Sequence, residues 1–160
     1  MKSISQLVST FACNGKVEWI GIRPKRRADM KSVTQVEART EGLSGDHNQS
    51  GGKRSVTLIQ AEHLTAISAF MDRDLIEPEQ LRRNIVVSKI NLLGLRNQKF
   101  QIGEILLEGS GICAPCSRME EALGTGGYTA VRGHGGITAR ILEPGTIRLG
   151  DQVVPQPSQI

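Results

Sequence analysis

Two of the chain's three cysteines, Cys113 and Cys116, are separated by two residues in the stretch Gly109-Ser-Gly-Ile-Cys-Ala-Pro-Cys-Ser-Arg118. That spacing serves four chemistries: half of a zinc site, a redox pair, a packed thiol or a reactive sulfur. Zinc needs a second pair of ligands, and only Cys13, His47, His63 and His134 remain, each isolated along the chain. A thioredoxin-like pair belongs in a strand-helix-strand context, whereas this one sits among strand, loop, short helix and glycine turn. Cys13 and Cys113 read as small packed residues. Cys116 differs. Pro115 fixes the backbone before it. Ser117 to Leu123 is a good helix former closed by Gly124, which puts Cys116 at a helix start, and Arg118 adds positive charge. Both features favour a thiolate, the form that ligates soft metals or carries sulfur.

The elements that must hold this sulfur are mostly strands. Lys16 to Ile22 and Val33 to Ala38 are β-rich and read as a hairpin around a turn at Pro24 to Asp29. A loop with four glycines, Glu41 to Gly52, leads into the apolar Ser55 to Ile59. Leu64, Ile67, Phe70 and Met71 recur at helical spacing, which predicts an amphipathic helix over 62–75. Asn84 to Ser88 is a further strand. Phe100 to Leu107 and Ile147 to Val154 resemble each other, each passing through a Gly-acid pair where one strand turns into the next. The expectation is a mainly β fold, a small β-barrel with a few short helices, as a single domain over residues 1–160.

Composition narrows the function. The net charge is +4, and only Arg23-Pro-Lys-Arg-Arg27 concentrates it. Without interleaved aromatics or a helix-turn-helix or finger spacing, that cluster reads as a solvated turn, and no nucleic-acid partner is expected. The longest apolar runs, such as Ile105-Leu106-Leu107, fall far short of the roughly 20 residues of a membrane helix. The amino-terminal residues lack the pattern of a secretory signal, so a cytoplasmic location is expected. Asp46 and Asp151 follow glycines in turns and read as structural.

Taken in order, Glu41-Gly-Leu-Ser-Gly-Asp46, Gly51-Gly-Lys-Arg-Ser-Val56, Ala61-Glu-His-Leu64, Arg83-Asn84, Ala114-Pro-Cys-Ser-Arg118, Arg132-Gly-His-Gly-Gly136 and Gly145 to Asp151 resemble the MOSC domain, named for the carboxy-terminal domain of molybdenum cofactor sulfurases. The resemblance implies a β-barrel with a pocket for molybdenum cofactor (molybdopterin) and matches the family's cysteine to Cys116. It implies that Cys116 either ligates molybdenum or carries sulfur from a cysteine desulfurase to metal-sulfur centres, so that the activity is a molybdenum-dependent oxidation-reduction or a sulfur transfer. Pyridoxal phosphate then belongs to the partner desulfurase, and a molybdoenzyme is the other implied partner.

The chain departs from the family at Leu81-Arg-Arg-Asn84, where many relatives read Phe-Gly-Glu-Asn, and at Ser50, where many have histidine. For a phosphate-bearing pterin the matched positions make a pocket of cationic forks and close backbone. Lys53, Arg54, Arg83, Asn84, Arg132, His134 and Gly135 are the candidates. The alternative is a non-catalytic module that binds a pterin or another anion, with Cys116 packed.

Overall fold

The computed structural model describes residues 1–156. After the short helix α1 (Ile4–Val8), the strands are β1 (Gly15–Ile22), β2 (Lys31–Val33), β3 (Gln35–Arg39), β4 (Gly42–Leu43), β5 (Val56–Gln60), β6 (Ile85–Ser88), β7 (Lys99–Ile102), β8 (Ile105–Ile112), β9 (Ile137–Glu143), β10 (Gly145–Arg148) and β11 (Gln152–Pro155). The other helices are α2 (Ala61–Phe70), α3 (Pro78–Leu81), α4 (Ser117–Leu123) and α5 (Gly127–Val131). Seven strands close a barrel in the order β1-β11-β7-β8-β9-β5-β6 and back to β1. Closure occurs where Gly15 and Lys16 pair with Val153 and Gln152. The expected mainly β barrel is therefore what the chain forms.

Alternation builds the interior. Along β8, Ile105 and Leu107 point inward, and Ile137, Ala139 and Ile141 do so from β9. Phe100, Leu92 and Leu95 are fully or almost fully buried and fill the barrel. Truncating such a side chain in a close-packed core typically costs about 3–5 kcal/mol. β8 changes register against β9 at Leu106/Leu107 and again at Gly109/Gly111, bulges of the kind that let a sheet curve into closure.

β5 and β6 are buried on both faces, which explains their nearly unbroken apolar runs. Leu58, Ile85 and Val87 face the barrel, while Ile59 and Val86 face a second cluster made with Ile67, Ile76, Leu81, Met119, Leu123, Ala130 and Val131. That outer cluster is the helical layer formed by α2 to α5. β5 and β6 run parallel, joined through α2 and α3. The layer thus exists because a parallel pair requires a crossover.

Two expectations need correction. The hairpin partner of β1 is β2, with Ile20 opposite Val33, and the strand then breaks at Thr34. Residues Gln35 to Arg39 leave the barrel and pair with β10 in a three-stranded sheet of order β10-β3-β4. The helix predicted over 62–75 ends at Phe70, because Asp72 turns left-handed at φ 53°. Ser68 fixes the reversal, donating from Oγ to the Leu64 carbonyl at 2.6 Å and accepting from the Ile76 amide at 2.9 Å. The two repeated segments do turn at their Gly-acid pairs, with Gly103 at φ 55° and Gly150 at φ 84°.

Candidate functional site

Cys116 is exposed and sits at the N-cap of α4 in extended backbone, φ −124° and ψ 172°. Cys113, at 4% exposure, is the packed thiol of the pair, and its amide donates to the Gly136 carbonyl at 2.9 Å. Cys13 corrects the expectation of packing: it is exposed and its Sγ donates to the Lys89 carbonyl at 3.1 Å. Among the described residues, no three His, Cys, Asp or Glu side chains form a group able to hold a metal ion.

The thiol loop is held from below by Arg83. This guanidinium is 6% exposed and donates from Nε to the Gly135 carbonyl at 2.9 Å, from Nη1 to the Leu81 carbonyl at 3.1 Å and from Nη2 to the Ala114 carbonyl at 3.2 Å. One side chain therefore fastens three segments: the end of α3, the loop between the two cysteines, and the glycine loop after α5. Gly135 is required for that closeness, because a Cβ there would overlap the Cys113 carbonyl and stand 3.2 Å from Arg83 Nη2.

Asn84 is buried as well. Its Oδ1 accepts from the Thr57 amide and hydroxyl at 3.2 and 3.1 Å, and its Nδ2 donates to the Gly21 carbonyl at 3.1 Å and more weakly to Asp46 Oδ1 at 3.4 Å. Asp46 also accepts from the Arg23 amide at 2.8 Å, so these residues fix the start of the basic loop. Asp151 accepts from the Arg148 amide at 2.7 Å, a turn role like that read from the sequence.

Beside the thiol lies a cleft of about 400 Å³ lined by Arg27, Arg82, Ser117, Arg118, Glu121 and Ala122. Arg82 is its best-held cation, with Nη2 donating to the Ala28 carbonyl at 3.1 Å. Burial first, then the charges of Arg23 and Arg118, pull this guanidinium below its ordinary value, while Asp29 and Cys116 pull the other way. The Nε groups of Arg82 and Arg23 are shielded from water and have no acceptor. Glu120, on the solvent side of α4, accepts from the Gly126 and Tyr128 amides at 2.7 and 2.9 Å and so fixes the turn into α5.

The remaining candidates lie apart from the cleft lining. Lys53 and Arg54 are exposed on a 3-10 turn, Gly52–Arg54, where the Lys53 carbonyl accepts from the Ser110 hydroxyl. Arg132 is exposed at the end of α5. His134 packs against α2, its ring edge-on to His63 at 4.8 Å between centroids and tilted against Phe70 at 5.6 Å. Of the seven positions proposed to bind cofactor, Arg83, Asn84 and Gly135 thus serve as internal supports. The residues that line the cleft were present in the sequence in other guises: Arg27 in a turn read as solvated, Arg82 beside the chosen Arg83, and Arg118 as a charge near the thiol. Their spacing of 55 and 36 residues hides the convergence.

A closed seven-stranded barrel carrying a clamped thiol loop beside a cationic cleft defines a class of small β-barrel proteins. The chain belongs to the MOSC domain family, whose model matches residues 45–154. In structure it is similar to the YuaD protein of Bacillus subtilis, with a TM-score of 0.80, 19% identity and coverage of 94% of this chain and 100% of that one. It is also similar to YiiM from Geobacillus stearothermophilus, with a TM-score of 0.75, 17% identity and coverage of 89% and 75%. YiiM from Escherichia coli gives 0.70, 14%, 90% and 71% for the same quantities. No curated protein matches the chain. No helix among the described residues is long and apolar enough to cross a membrane.

Two predictions follow from the supports. Arg83→Met leaves the buried carbonyls of Leu81 and Gly135, and the partly buried one of Ala114, without this donor, and is expected to cost about 3 kcal/mol in urea unfolding. Amide exchange over residues 113–116 should accelerate in the same variant. For His63, burial first and the His134 charge second hold the imidazole below its ordinary value, against a smaller upward pull from Glu62. The unfolded chain then binds this proton more readily, so its contribution to stability is complete above the ordinary histidine value and is lost as pH falls below it. Between about pH 7.5 and 5.5 the urea midpoint should fall, and His63→Asn should fall less. The neighbouring Glu62 adds a separate, more acidic loss. Burial raises its carboxyl, but hydrogen bonds from Gln60 and the Lys89 amide outweigh this and hold it below the usual range.

Proposed function

We propose that the protein handles molybdenum cofactor or its sulfur through the thiol of Cys116, with Arg27, Arg82 and Arg118 holding the anionic part of the ligand. MOSC domains are associated with molybdenum-cofactor-related functions. The observation that carries the reading is the pairing of an exposed sulfur with a cleft lined by three guanidiniums. The donor set fits a phosphate-bearing pterin: a soft thiolate suits molybdenum, and forked guanidiniums suit phosphate. When bound, the cofactor would supply the redox metal. The chain's own part would be to present the sulfur on a clamped loop and to neutralise the ligand's charge.

As a sulfur carrier, the Cys116 thiolate attacks the outer sulfur of a donor persulfide, R–S–SH. A Cys116–sulfur bond forms, the donor's sulfur–sulfur bond breaks, and the donor leaves as its thiolate, so that the proton and electron count are conserved. A partner cysteine desulfurase is the proposed donor, since such an enzyme generates persulfide with pyridoxal phosphate. The exposure of Cys116 favours both roles over the packed-thiol alternative, because ligand and nucleophile alike need access.

The test is metal and pterin analysis of the protein purified from a host that makes molybdenum cofactor, wild type beside Cys116→Ala, together with intact-mass analysis for a persulfide. Wild type should carry either molybdenum with pterin or a mass increase of one sulfur, and Cys116→Ala should lose it. A wild-type protein that acquires neither, even when supplied with a persulfide donor, contradicts the proposal.

A further inference from the structure

The basic turn that follows β1 ends beside the sulfur. It carries Arg23, Lys25, Arg26 and Arg27, and the Ala28 amide closes it by donating to the Lys25 carbonyl at 3.1 Å, with Arg27 left-handed at φ 67°. Lys25, Arg26 and Arg27 are exposed. Arg27 lines the cleft together with Ser117 and Arg118, the two residues after Cys116, and the charges of Arg23, Arg118 and Cys116 all register on Arg82. The turn and the thiol are therefore parts of one surface.

That surface is cationic on balance. Arg23, Lys25, Arg26, Arg27, Arg82 and Arg118 face three carboxylates along the cleft and its continuation, those of Asp29, Glu79 and Glu121. Asp46 lies buried beneath the turn, with its oxygens on the Arg23 and Asn48 amides. None of the six cations makes an ion pair among the described residues. Lys25 and Arg26 stand outside the residues that line the cleft, so the anion they attract extends past it. Cys116 is itself exposed, and so are Ala114 and Ser117 on either side of it. A small-molecule site buries most of its ligand, whereas a thiol raised in this way is met by another surface. Nucleic acid is the poorer match, because the turn has no aromatic side chain on which a base could stack.

We propose that the turn from Arg23 to Arg27 is the docking surface for an acidic segment of the protein that passes sulfur to Cys116. The inference rests on the sulfur-carrier reading and names the partner's chemistry, a persulfide flanked by aspartate or glutamate. Exposed cations steer such a segment and set its orientation, so they act mainly on the rate of productive encounter. In the transfer the Cys116 thiolate bonds to the outer sulfur, the partner's sulfur–sulfur bond breaks, and its inner sulfur leaves as a thiolate. One thiolate replaces another, so no oxidant or reductant is consumed.

The probes are three synthetic peptides that carry a cysteine persulfide flanked by aspartates, by serines or by lysines, with transfer to Cys116 followed by intact mass. At low salt the aspartate peptide is expected to react at least about tenfold faster than the serine peptide and the lysine peptide slowest, with the differences shrinking in high salt. Lys25→Glu with Arg26→Glu, both exposed and outside the cleft lining, should bring the aspartate peptide down to about the serine rate and leave the serine rate unchanged. Lys16→Glu with Arg96→Glu, an equal charge change at exposed positions elsewhere, should alter the rates little. An aspartate peptide no faster than the serine peptide, or an equal effect of the two double variants, overturns the proposal. Binding of the same peptides with serine in place of the persulfide, measured by fluorescence anisotropy on Cys116→Ser protein, separates the two readings. Loop-dependent binding of the aspartate peptide without transfer from any persulfide sinks the sulfur reading alone, and equal transfer from all three peptides sinks the docking surface alone. A single-stranded oligonucleotide that binds the turn more tightly than an aspartate peptide of equal charge also overturns the proposal.

Discussion

Arg83 brings a full positive charge to a position only 6% exposed, and every acceptor it finds there is a backbone carbonyl, those of Leu81, Ala114 and Gly135. Taking a guanidinium out of water is expensive unless its donors are satisfied. Three segments remote in sequence are therefore compelled to converge on it. Moving the thiol loop away from the glycine loop would strand the charge, so the position of Cys116 is secured by the same electrostatics that make Arg83 tolerable inside the protein.

The barrel supplies the fixed surface against which that support works. Because β5 and β6 are covered on both faces, their sequence is mostly apolar, and buried polar groups on or beside them, such as Asn84 and Gln60, bridge elements. Asn84 joins Thr57, Gly21 and Asp46, while Gln60 donates to Glu62 and accepts from the Leu92 amide at 3.0 Å. These hydrogen bonds set the heights of the basic loop and of α2 relative to the sheet. The cleft is in effect the gap left between the basic loop, the left-handed turn at Arg82 and α4.

Much of this was legible in the sequence, for reasons specific to each residue. The Gly-acid pairs at Gly103 and Gly150 mark strand turns because the chain needs φ 55° and 84° there, and Gly124 marks the end of α4 because the chain needs φ 91° there. Cys116 was recognisable as the accessible thiol from Pro115 before it and a helix-forming run after it. The break at Thr34 was not legible, since residues 31–33 and 35–39 are equally β-prone and only the second sheet decides which strand each joins. Nor was the exchange of roles between Arg82 and Arg83. Adjacent arginines look alike in sequence, and the left-handed turn at Arg82 sends one to the cleft and the other into the interior.

Cys13 and Cys116 are both exposed, but only Cys116 stands beside the arginines of the cleft. The most direct test of the account is the rate at which each is alkylated by iodoacetamide near neutral pH, resolved by peptide mass spectrometry in one sample. The account predicts that Cys116 reacts at least about tenfold faster than Cys13, and that the difference narrows in high salt as the guanidinium charges are screened. Equal rates, insensitive to salt, would contradict the proposal that Cys116 is the sulfur that works beside the guanidiniums of the cleft.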